Sequence, residues 1–317
     1  MTPTMIDIPV VLVLGAGASY PYGFPLGSGL TKEVLSLSGD DVKKVLTQVD
    51  KGLFTELQEF QSSFRYARRK SIDAYLEGKR KYERIGKLVI AYLLIKRESE
   101  DTLYHVESEA DWYQHLIEEM MLTESFDGFR NNKLSILTYN YDRSLEYYLF
   151  KMLQQFDKSD DECREAMEEI PILHLHGQIG LLPQLHGEGR GYNDIDRYDP
   201  DKLQLAAEGI RIVHEESLDE DLIFIKARKL LSEAHLVIFL GFGYLAKNVV
   251  RLTLQDNRMK DTTYWGTGVD VKEAETRRYA RLFPGELPAG ATKRITIDTE
   301  VEGIKEYMRK HEYLFME

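Results

Sequence analysis

An amide and a carboxylate stand two positions apart in the segment T-Y-N-Y-D at residues 138–142. Asn140 can donate and accept hydrogen bonds and Asp142 can accept them, so the pair could hold a sugar hydroxyl, a water molecule or an amide. An apolar run at residues 134–137 precedes the segment, and apolar residues at helical spacing follow it from Leu145. This pattern predicts a buried strand, a polar tip and a helix, with the tip facing a cleft. The alternative is that Asn140 or Asp142 only caps the helix.

Two histidines alternate with leucines in the segment P-I-L-H-L-H-G-Q-I-G at residues 171–180. The alternation predicts a strand that ends where the chain turns at Gly177. His176 lies at the strand end beside that glycine, where it could meet a ligand, whereas His174 fits a buried, hydrogen-bonded histidine. Histidines at this spacing could share a metal ion, but no clear third ligand accompanies them, so we predict no metal site.

A glycine-rich turn follows the first apolar run. Residues 8–14, I-P-V-V-L-V-L, predict a central parallel strand that is buried on both faces. The next residues, G-A-G-A-S, would let backbone N–H groups and a helix N-terminus approach a phosphate. Tyr20 replaces the third glycine of G-x-G-x-x-G, and no acidic strand end follows about 20 residues later, which argues against a dehydrogenase. The alternative is an ordinary strand-to-helix turn, which would use the same glycines. If the turn binds a ligand, the candidate contact residues are Gly15, Ala16, Gly17 and Ser19.

Further strand ends carry similar tips. The run L-V-I-F-L at residues 236–240 is followed by G-F-G-Y, which contains Gly241, Gly243 and Tyr244. Residues 263–270 predict another such tip, and a strand at 294–297 and a helix at 301–309 complete the chain. Because the carboxyl ends of parallel strands meet along one edge, several such tips together indicate a nucleotide crevice better than one does.

The long segment between the first two strands has helical periodicity instead. Ile85, Leu88 and Tyr92, for example, recur at helical spacing. We therefore predict a doubly wound, mostly parallel α/β sheet of the Rossmann-like class, formed by residues 1–35 and 130–317. Residues 36–129 are predicted to form a helical insertion subdomain packed beside this sheet.

The net charge and the length of the apolar runs bear on whether the chain binds nucleic acid or a membrane. The 317-residue chain has a formal net charge of -12, so general electrostatic attraction to nucleic acid is excluded. The basic cluster at residues 65–70 is interpreted as a solvated helix face, so nucleic acid is expected only through a partner. The apolar run at residues 8–14 lacks a basic leader and is too short to span a bilayer. We expect a cytoplasmic protein without direct membrane binding.

Four motifs occur in a fixed order along the chain: G-A-G-A-S, T-Y-N-Y-D, H-L-H-G and L-G-F-G-Y. In this order they resemble the sirtuin superfamily, and more narrowly the sirtuin-like domains of bacterial anti-phage defence systems. In sirtuins the first motif cradles the NAD diphosphate, the asparagine orients the nicotinamide ribose or a water, the aspartate contacts the carboxamide and the histidine acts as a base. The resemblance therefore implies Asn140, Asp142 and His176 as catalytic residues. The implied cofactor-binding residues are Gly15, Ala16, Gly17, Ser19, Thr138, Gly241, Gly243 and Tyr244.

The chain departs from the protein-deacylating sirtuins in two respects. Those enzymes carry four zinc cysteines, whereas this chain has only Cys163. Their D-F-R segment also has no counterpart in P-Y-G-F-P-L-G-S, which puts an acyl-lysine channel in doubt. The resemblance implies an NAD+ glycohydrolase that depletes NAD in abortive infection, with NAD as substrate and no other cofactor. The alternatives are an NAD-dependent protein deacylase and a non-catalytic sensor of NAD or ADP-ribose.

The resemblance also implies partners. Relatives of this type are often encoded beside a translocase-type ATPase or an Argonaute-like protein, and nothing in these residues selects one of the two. We expect a homo-oligomer and one of these partners. The chain has no P-loop motif, so an ATP-driven step would have to come from the partner.

The cysteine count gives the first testable prediction. Because a single cysteine cannot build a Cys-based zinc site, the purified protein should contain no structural zinc. Elemental analysis of the folded protein checks this. About one equivalent of zinc per chain, released only when the chain unfolds, would contradict it.

Overall fold

Six short strands form one parallel sheet. The computed structural model describes residues 6–69, 71–117, 126–214, 221–252, 262–269, 271–283 and 295–315. The strands are β1 (Val10–Leu14), β2 (Leu134–Thr138), β3 (Ile172–His174), β4 (Leu236–Leu240), β5 (Thr263–Thr267) and β6 (Thr296–Asp298). They are ordered β3-β2-β1-β4-β5-β6, and every pair is parallel. The strand order reverses between β1 and β4, which is the topological switch point of a doubly wound fold. The predicted α/β Rossmann-like class is confirmed.

Helices cover both faces of the sheet. Between β1 and β2 lie α1 (Ala16–Ser19), α2 (Gly27–Ser36), α3 (Asp40–Val49), α4 (Leu53–Ala67), α5 (Ile72–Leu76), α6 (Glu83–Ile95), α7 (Glu100–Tyr104), α8 (Trp112–His115) and α9 (Phe126–Arg130). The later helices are α10 (Ser144–Leu153), α11 (Asp160–Glu168), α12 (Pro183–His186), α13 (Pro200–Glu208), α14 (Leu222–Glu233), α15 (Ala246–Arg251), α16 (Glu273–Ala280) and α17 (Ile304–Lys310). None of the helices in the described ranges is long and apolar enough to cross a membrane.

The central strand β1 shows why its sequence is apolar throughout. Val10, Leu12 and Leu14 face one hydrophobic cluster, and Val11 and Val13 face the other. All five side chains are buried, because successive residues of a strand point to opposite faces and helices cover both faces here. Each buried aliphatic side chain contributes roughly 1.5–3 kcal/mol relative to exposure.

The strand boundaries differ slightly from the predicted ones. β1 begins at Val10 and not at residue 8, because Pro9 has no N–H to donate to the ladder. The carbonyl of Pro9 instead accepts hydrogen bonds from the backbone of His235 and Leu236. β6 begins at Thr296, whereas the predicted start at residue 294 lies outside the described residues.

The helical insertion shares a core with the sheet. The described residues between 36 and 129 contain helices and no strand, as predicted. The hydrophobic cluster under β1 and β2 continues into α2, α4 and α6, and α6 is buried on nearly all sides. α13 packs against α3 and α6, although it lies far beyond the insertion in sequence. The division at residue 129 therefore stays a prediction, since one core crosses it.

A buried charge cluster also joins the insertion to the later part of the chain. Arg143 donates from Nε and Nη2 to the two carboxylate oxygens of Glu98, at 2.7 and 2.6 Å. Arg190 contacts the same carboxylate, and Arg143 also donates to the carbonyls of Leu181 and Arg190. The side chains of Glu98 and Arg143 are fully buried. Glu98 thus holds the segment after β3 against the insertion.

Removal of this carboxylate gives a stability prediction. Glu98→Gln would leave two buried guanidinium groups without a counter-charge, which typically costs roughly 3–5 kcal/mol. Urea unfolding should show a clearly lower midpoint. Asp50→Asn is the matched control, because Asp50 forms a surface ion pair with Arg84 and its loss should leave the midpoint nearly unchanged. Equal midpoints for the two variants would contradict the assigned role of Glu98.

Candidate functional site

The loops after β1 and β4 pack against each other at the switch point. Gly15 N–H donates to the carbonyl of Leu240 at 3.0 Å, and Gly17 N–H donates to that of Gly241 at 2.9 Å. A Cβ on Gly17 would lie 2.8 Å from the Cα of Gly241, so only glycine permits this approach. The two N–H groups thus bond to the neighbouring loop. The predicted phosphate contact of this turn stays a prediction. Ala16 and Gly17 are half-buried, whereas Gly15 and Ser19 are buried.

The tip after β4 contains residues with different roles. Gly241 has φ +57°, and its N–H donates to Oγ1 of Thr267 at 2.9 Å. Gly243 has no atoms near the position that a Cβ would occupy, so it borders open space. Tyr244 is buried, donates from its hydroxyl to the carbonyl of Thr267 at 3.0 Å and stacks on Tyr279. In this structure Tyr244 supports the sheet end from within the core.

The side-chain amide of Asn140 is held by hydrogen bonds at its nitrogen, while its oxygen has no partner among the described residues. Its Nδ2 donates to the carbonyl of Gly15 and to Oγ of Ser19, both at 2.9 Å. Because a carbonyl can only accept, this network assigns which atom of the amide is nitrogen. No described residue bonds to Oδ1, which is left as an acceptor for a ligand. Asn140 is not a helix cap, so the capping alternative is wrong for this residue. The backbone N–H of Asn140 donates to Oγ1 of Thr138 at 3.0 Å.

Asp142 is buried beside the same serine. Its carboxylate accepts from the backbone and hydroxyl of Ser144 in the first turn of α10, and it also interacts with Ser19. The hydroxyls of Ser144 and Tyr113 are 2.8 Å apart. Burial raises the pKa of Asp142, although the serine hydrogen bonds oppose this. Asp142 therefore stabilises the start of α10, as the capping alternative proposed. Its carboxylate also interacts with Ser19, whose hydroxyl accepts from the amide of Asn140.

His174 is a buried structural histidine, as the sequence suggested. Its Nδ1 lies 2.9 Å from the carbonyl of Asn140, and its Nε2 pairs with the carboxylate of Glu146. Burial by itself would lower the pKa of His174, but Glu146 raises it and the net direction is upward. Since both partners accept hydrogen bonds, they favour the imidazolium form, and the ring holds the backbone of Asn140 in place.

His176 lies on the other side of the T-Y-N-Y-D segment. Its ring meets Tyr139 edge to face at 5.2 Å and lies 6.3 Å from Tyr141. Its Nδ1 is 3.8 Å from Oδ1 of Asp73, which also accepts from the hydroxyl of Tyr141. Nε2 of His176 is buried and has no partner among the described residues. Burial lowers the pKa of His176 more than Asp73 raises it, so the imidazole is neutral near pH 7.

The turn after His176 is held by a second glycine contact. Gly177 has φ +69°, and a Cβ there would collide with the carbonyl of Gly209. The carbonyl of His176 accepts from the N–H of Arg211 at 2.8 Å, and Gly177 forms an isolated bridge with Ile210. The backbone of His176 is therefore fixed by the segment that follows α13.

The structure thus groups the predicted residues in two sets. Asn140 and Asp142 share Ser19 and lie next to the turn at Gly15, whereas His176 faces Asp73. The two sets lie on adjacent strand ends, since β2 pairs with β3. No hydrogen bond or ion pair joins His176 to Asn140 or Asp142 within the described residues, so their convergence on one ligand stays a prediction.

Sequence reasoning missed two residues of this region. Thr267 accepts a hydrogen bond from the N–H of Gly241, and its position at the end of the predicted strand from residue 263 could have indicated it. Asp73 lies on α5, in a segment without a strand or glycine motif, so no local pattern marks it. Only the fold of the insertion brings it to His176.

A known family model matches the part of the chain that contains several of these strand ends. Residues 134–265 match the model of the SIR2-like domain, and the predicted assignment to the sirtuin-like superfamily is confirmed. The matched range begins at β2 and ends within β5, so it contains Asn140, His176 and Gly241. The turn at Gly15 and the insertion that carries Asp73 precede it. No curated protein matches the chain.

Two glycines of one tip provide a matched pair of variants. Gly241→Ala should destabilise the protein by about 2–4 kcal/mol, because the new Cβ meets the backbone of Gly17 and φ is positive. Gly243→Ala should change stability by less than about 0.5 kcal/mol, because its Cβ enters open space. Thermal unfolding of both variants checks this difference. Equal losses would contradict the contact between the two loops.

Proposed function

We propose that the chain is an NAD+ glycohydrolase that cleaves NAD to nicotinamide and ADP-ribose, and that it acts as the NAD-depleting effector of an anti-phage defence system. The observation that carries the proposal is the pair of unpartnered polar atoms at two adjacent strand ends. Oδ1 of Asn140 and Nε2 of His176 bond to no described residue, although the rest of each side chain is held in place. The SIR2-like match supports a reaction that uses NAD.

The chemistry requires few groups. When the bond between ribose C1′ and the nicotinamide nitrogen breaks, the bonding electrons neutralise the positively charged ring, so no acid is needed for its departure. A water oxygen then bonds to C1′ and loses one proton. The enzyme must therefore stabilise an oxocarbenium-like ribose and direct this water.

The residues of the site suit these tasks. Oδ1 of Asn140 can accept a hydrogen bond from a ribose hydroxyl or from the water, because its amide is fixed at Nδ2 by two partners. Nε2 of His176 can accept the proton, because the ring is neutral near pH 7. The role we propose for Asp142, which accepts hydrogen bonds from Ser144 and interacts with Ser19, is to hold the carboxamide of nicotinamide.

Incubation of the purified protein with NAD, with and without an acyl-lysine peptide, tests the proposal. Release of nicotinamide from NAD alone supports a glycohydrolase, whereas release that needs the peptide would show a deacylase. Binding of NAD without any release, also in cells exposed to phage, would indicate a sensor. Since a NAD-destroying enzyme must be restrained in its host, NAD levels in phage-infected cells that express the chain are measured as well.

Substitution of the two unpartnered groups gives a quantitative prediction. Asn140→Ala and His176→Ala should each lower the rate of nicotinamide release about a hundredfold or more, as is typical for positioning and base groups. Both variants should stay folded, which circular dichroism checks. The controls are Asn193→Ala and His105→Ala, which replace an exposed residue of each type and should retain the rate of the original chain. Unchanged NAD depletion by Asn140→Ala and His176→Ala under activating conditions would overturn the assignment.

A further inference from the structure

The helical insertion brings a carboxylate to His176. Ser71 caps the start of α5 by accepting from Ala74 N–H, and Asp73 lies in the first turn of this short helix. Oδ1 of Asp73 is 3.8 Å from Nδ1 of His176 and accepts a hydrogen bond from the hydroxyl of Tyr141. The histidine therefore has a carboxylate on one nitrogen and no protein partner among the described residues on the other.

α5 is itself tied to the sheet domain. Glu77, directly after α5, forms ion pairs with Arg251 at 2.7 Å and with Lys247, both on α15. The hydroxyl of Tyr139, which packs against His176, donates to the carbonyl of Asn248 on the same helix at 2.7 Å. These contacts hold Asp73 at a defined place beside the imidazole, although α5 and His176 are about 100 residues apart in sequence.

We propose that Asp73 is the positioning residue of His176: it holds the imidazole with its proton on Nδ1, so that the lone pair of Nε2 faces the reacting water. The expected effect of Asp73 on the reaction rate rests on the proposed hydrolysis of NAD, whereas its effect on the tautomer of His176 does not. A carboxylate near Nδ1 selects this tautomer, because it attracts the N–H and stabilises the imidazolium that forms when Nε2 takes a proton. The distance of 3.8 Å would shorten to a hydrogen bond in the ligand complex.

The hydroxyl of Tyr141 weakens the attraction between the carboxylate of Asp73 and the ring of His176. Its hydroxyl donates to the oxygen that faces His176, so it competes with the histidine for that oxygen. Removal of the hydroxyl should therefore strengthen the attraction between Asp73 and the imidazolium, whereas removal of the charge at Asp73 should abolish it. The two changes are expected to move the proton affinity of His176 in opposite directions, which a general loosening of the structure would not do.

The other groups that face His176 set the background for this effect. Glu77, directly after α5, raises the pKa of His176, whereas Arg251 from α15 and Arg211 from the segment after α13 lower it. The phenols of Tyr139 and Tyr141 are neutral, since burial raises the pKa of each above its ordinary value. None of these groups changes in the variants below except the hydroxyl of Tyr141.

The experiment compares Asp73→Asn, Asp73→Glu and Tyr141→Phe with the original chain. The acidic limb of kcat/KM for nicotinamide release reports the pKa of His176, because protonation of the base stops the reaction. Asp73→Asn should shift this limb to lower pH by on the order of one unit and lower the plateau about tenfold. Tyr141→Phe should shift the limb to higher pH, and Asp73→Glu should restore most of the plateau. Asp50→Asn is the control for loss of an ion pair within the insertion and should change neither quantity.

A second readout does not depend on catalysis. Nitrogen-15 NMR of the histidine rings, with the His176 signal assigned by its absence in His176→Gln, gives the tautomer and pKa of this ring directly. In the original chain Nδ1 should carry the proton, and Asp73→Asn should reduce that preference and lower the pKa. If the NMR shifts occur while no chain releases nicotinamide, either purified or in phage-infected cells, the role of Asp73 stands and the proposed hydrolysis fails. An unchanged tautomer and pKa of His176 in Asp73→Asn would overturn the inference whatever the activity. If that variant does not fold, a downward shift of the His176 pKa in Tyr141→Phe would overturn it instead.

Discussion

The contact between the backbones of Gly17 and Gly241 sets the geometry of the whole site. It joins the loops after β1 and β4 at the point where the strand order reverses, so that no side chain separates them. Because the carbonyl of Gly15 then accepts from Asn140, the same contact also fixes the tip after β2. Three neighbouring strand ends are thus tied by backbone groups, and Thr267 extends the tie to a fourth. Polar side chains on such a frame need little reorganisation when a ligand binds.

Two histidines that stand two residues apart have opposite charge states within this frame. His174 has a carboxylate and a carbonyl as partners, which raises its pKa and favours the charged imidazolium. His176 is buried among aromatic rings with a more distant carboxylate, which lowers its pKa and keeps it neutral. Environments that separate the pKa values of similar groups are typical of sites that divide structural and chemical tasks. Only the neutral ring can accept a proton at pH 7.

Sequence periodicity predicted the sheet well because its physical basis is local. A strand that is buried on both faces must be apolar throughout, so β1 and β4 were recognisable from their own residues. The strand-end motifs followed, since polar groups after such runs must lie along one edge. The role of Tyr244 was not recognisable, because its motif neighbour Gly243 borders open space while the side chain of Tyr244 turns into the core.

The contribution of the insertion could not be predicted for a different physical reason. Asp73 meets His176 only after α5 packs against the sheet domain, and that packing depends on distant pairs such as Glu77 with Arg251. Such contacts leave no periodic trace, because a single charged residue on a short helix is most often solvated. The insertion therefore does more than cover one face of the sheet. Since its carboxylate faces the imidazole, any movement of α5 would change the proton affinity of His176 and couple the position of the insertion to the chemistry of the strand ends.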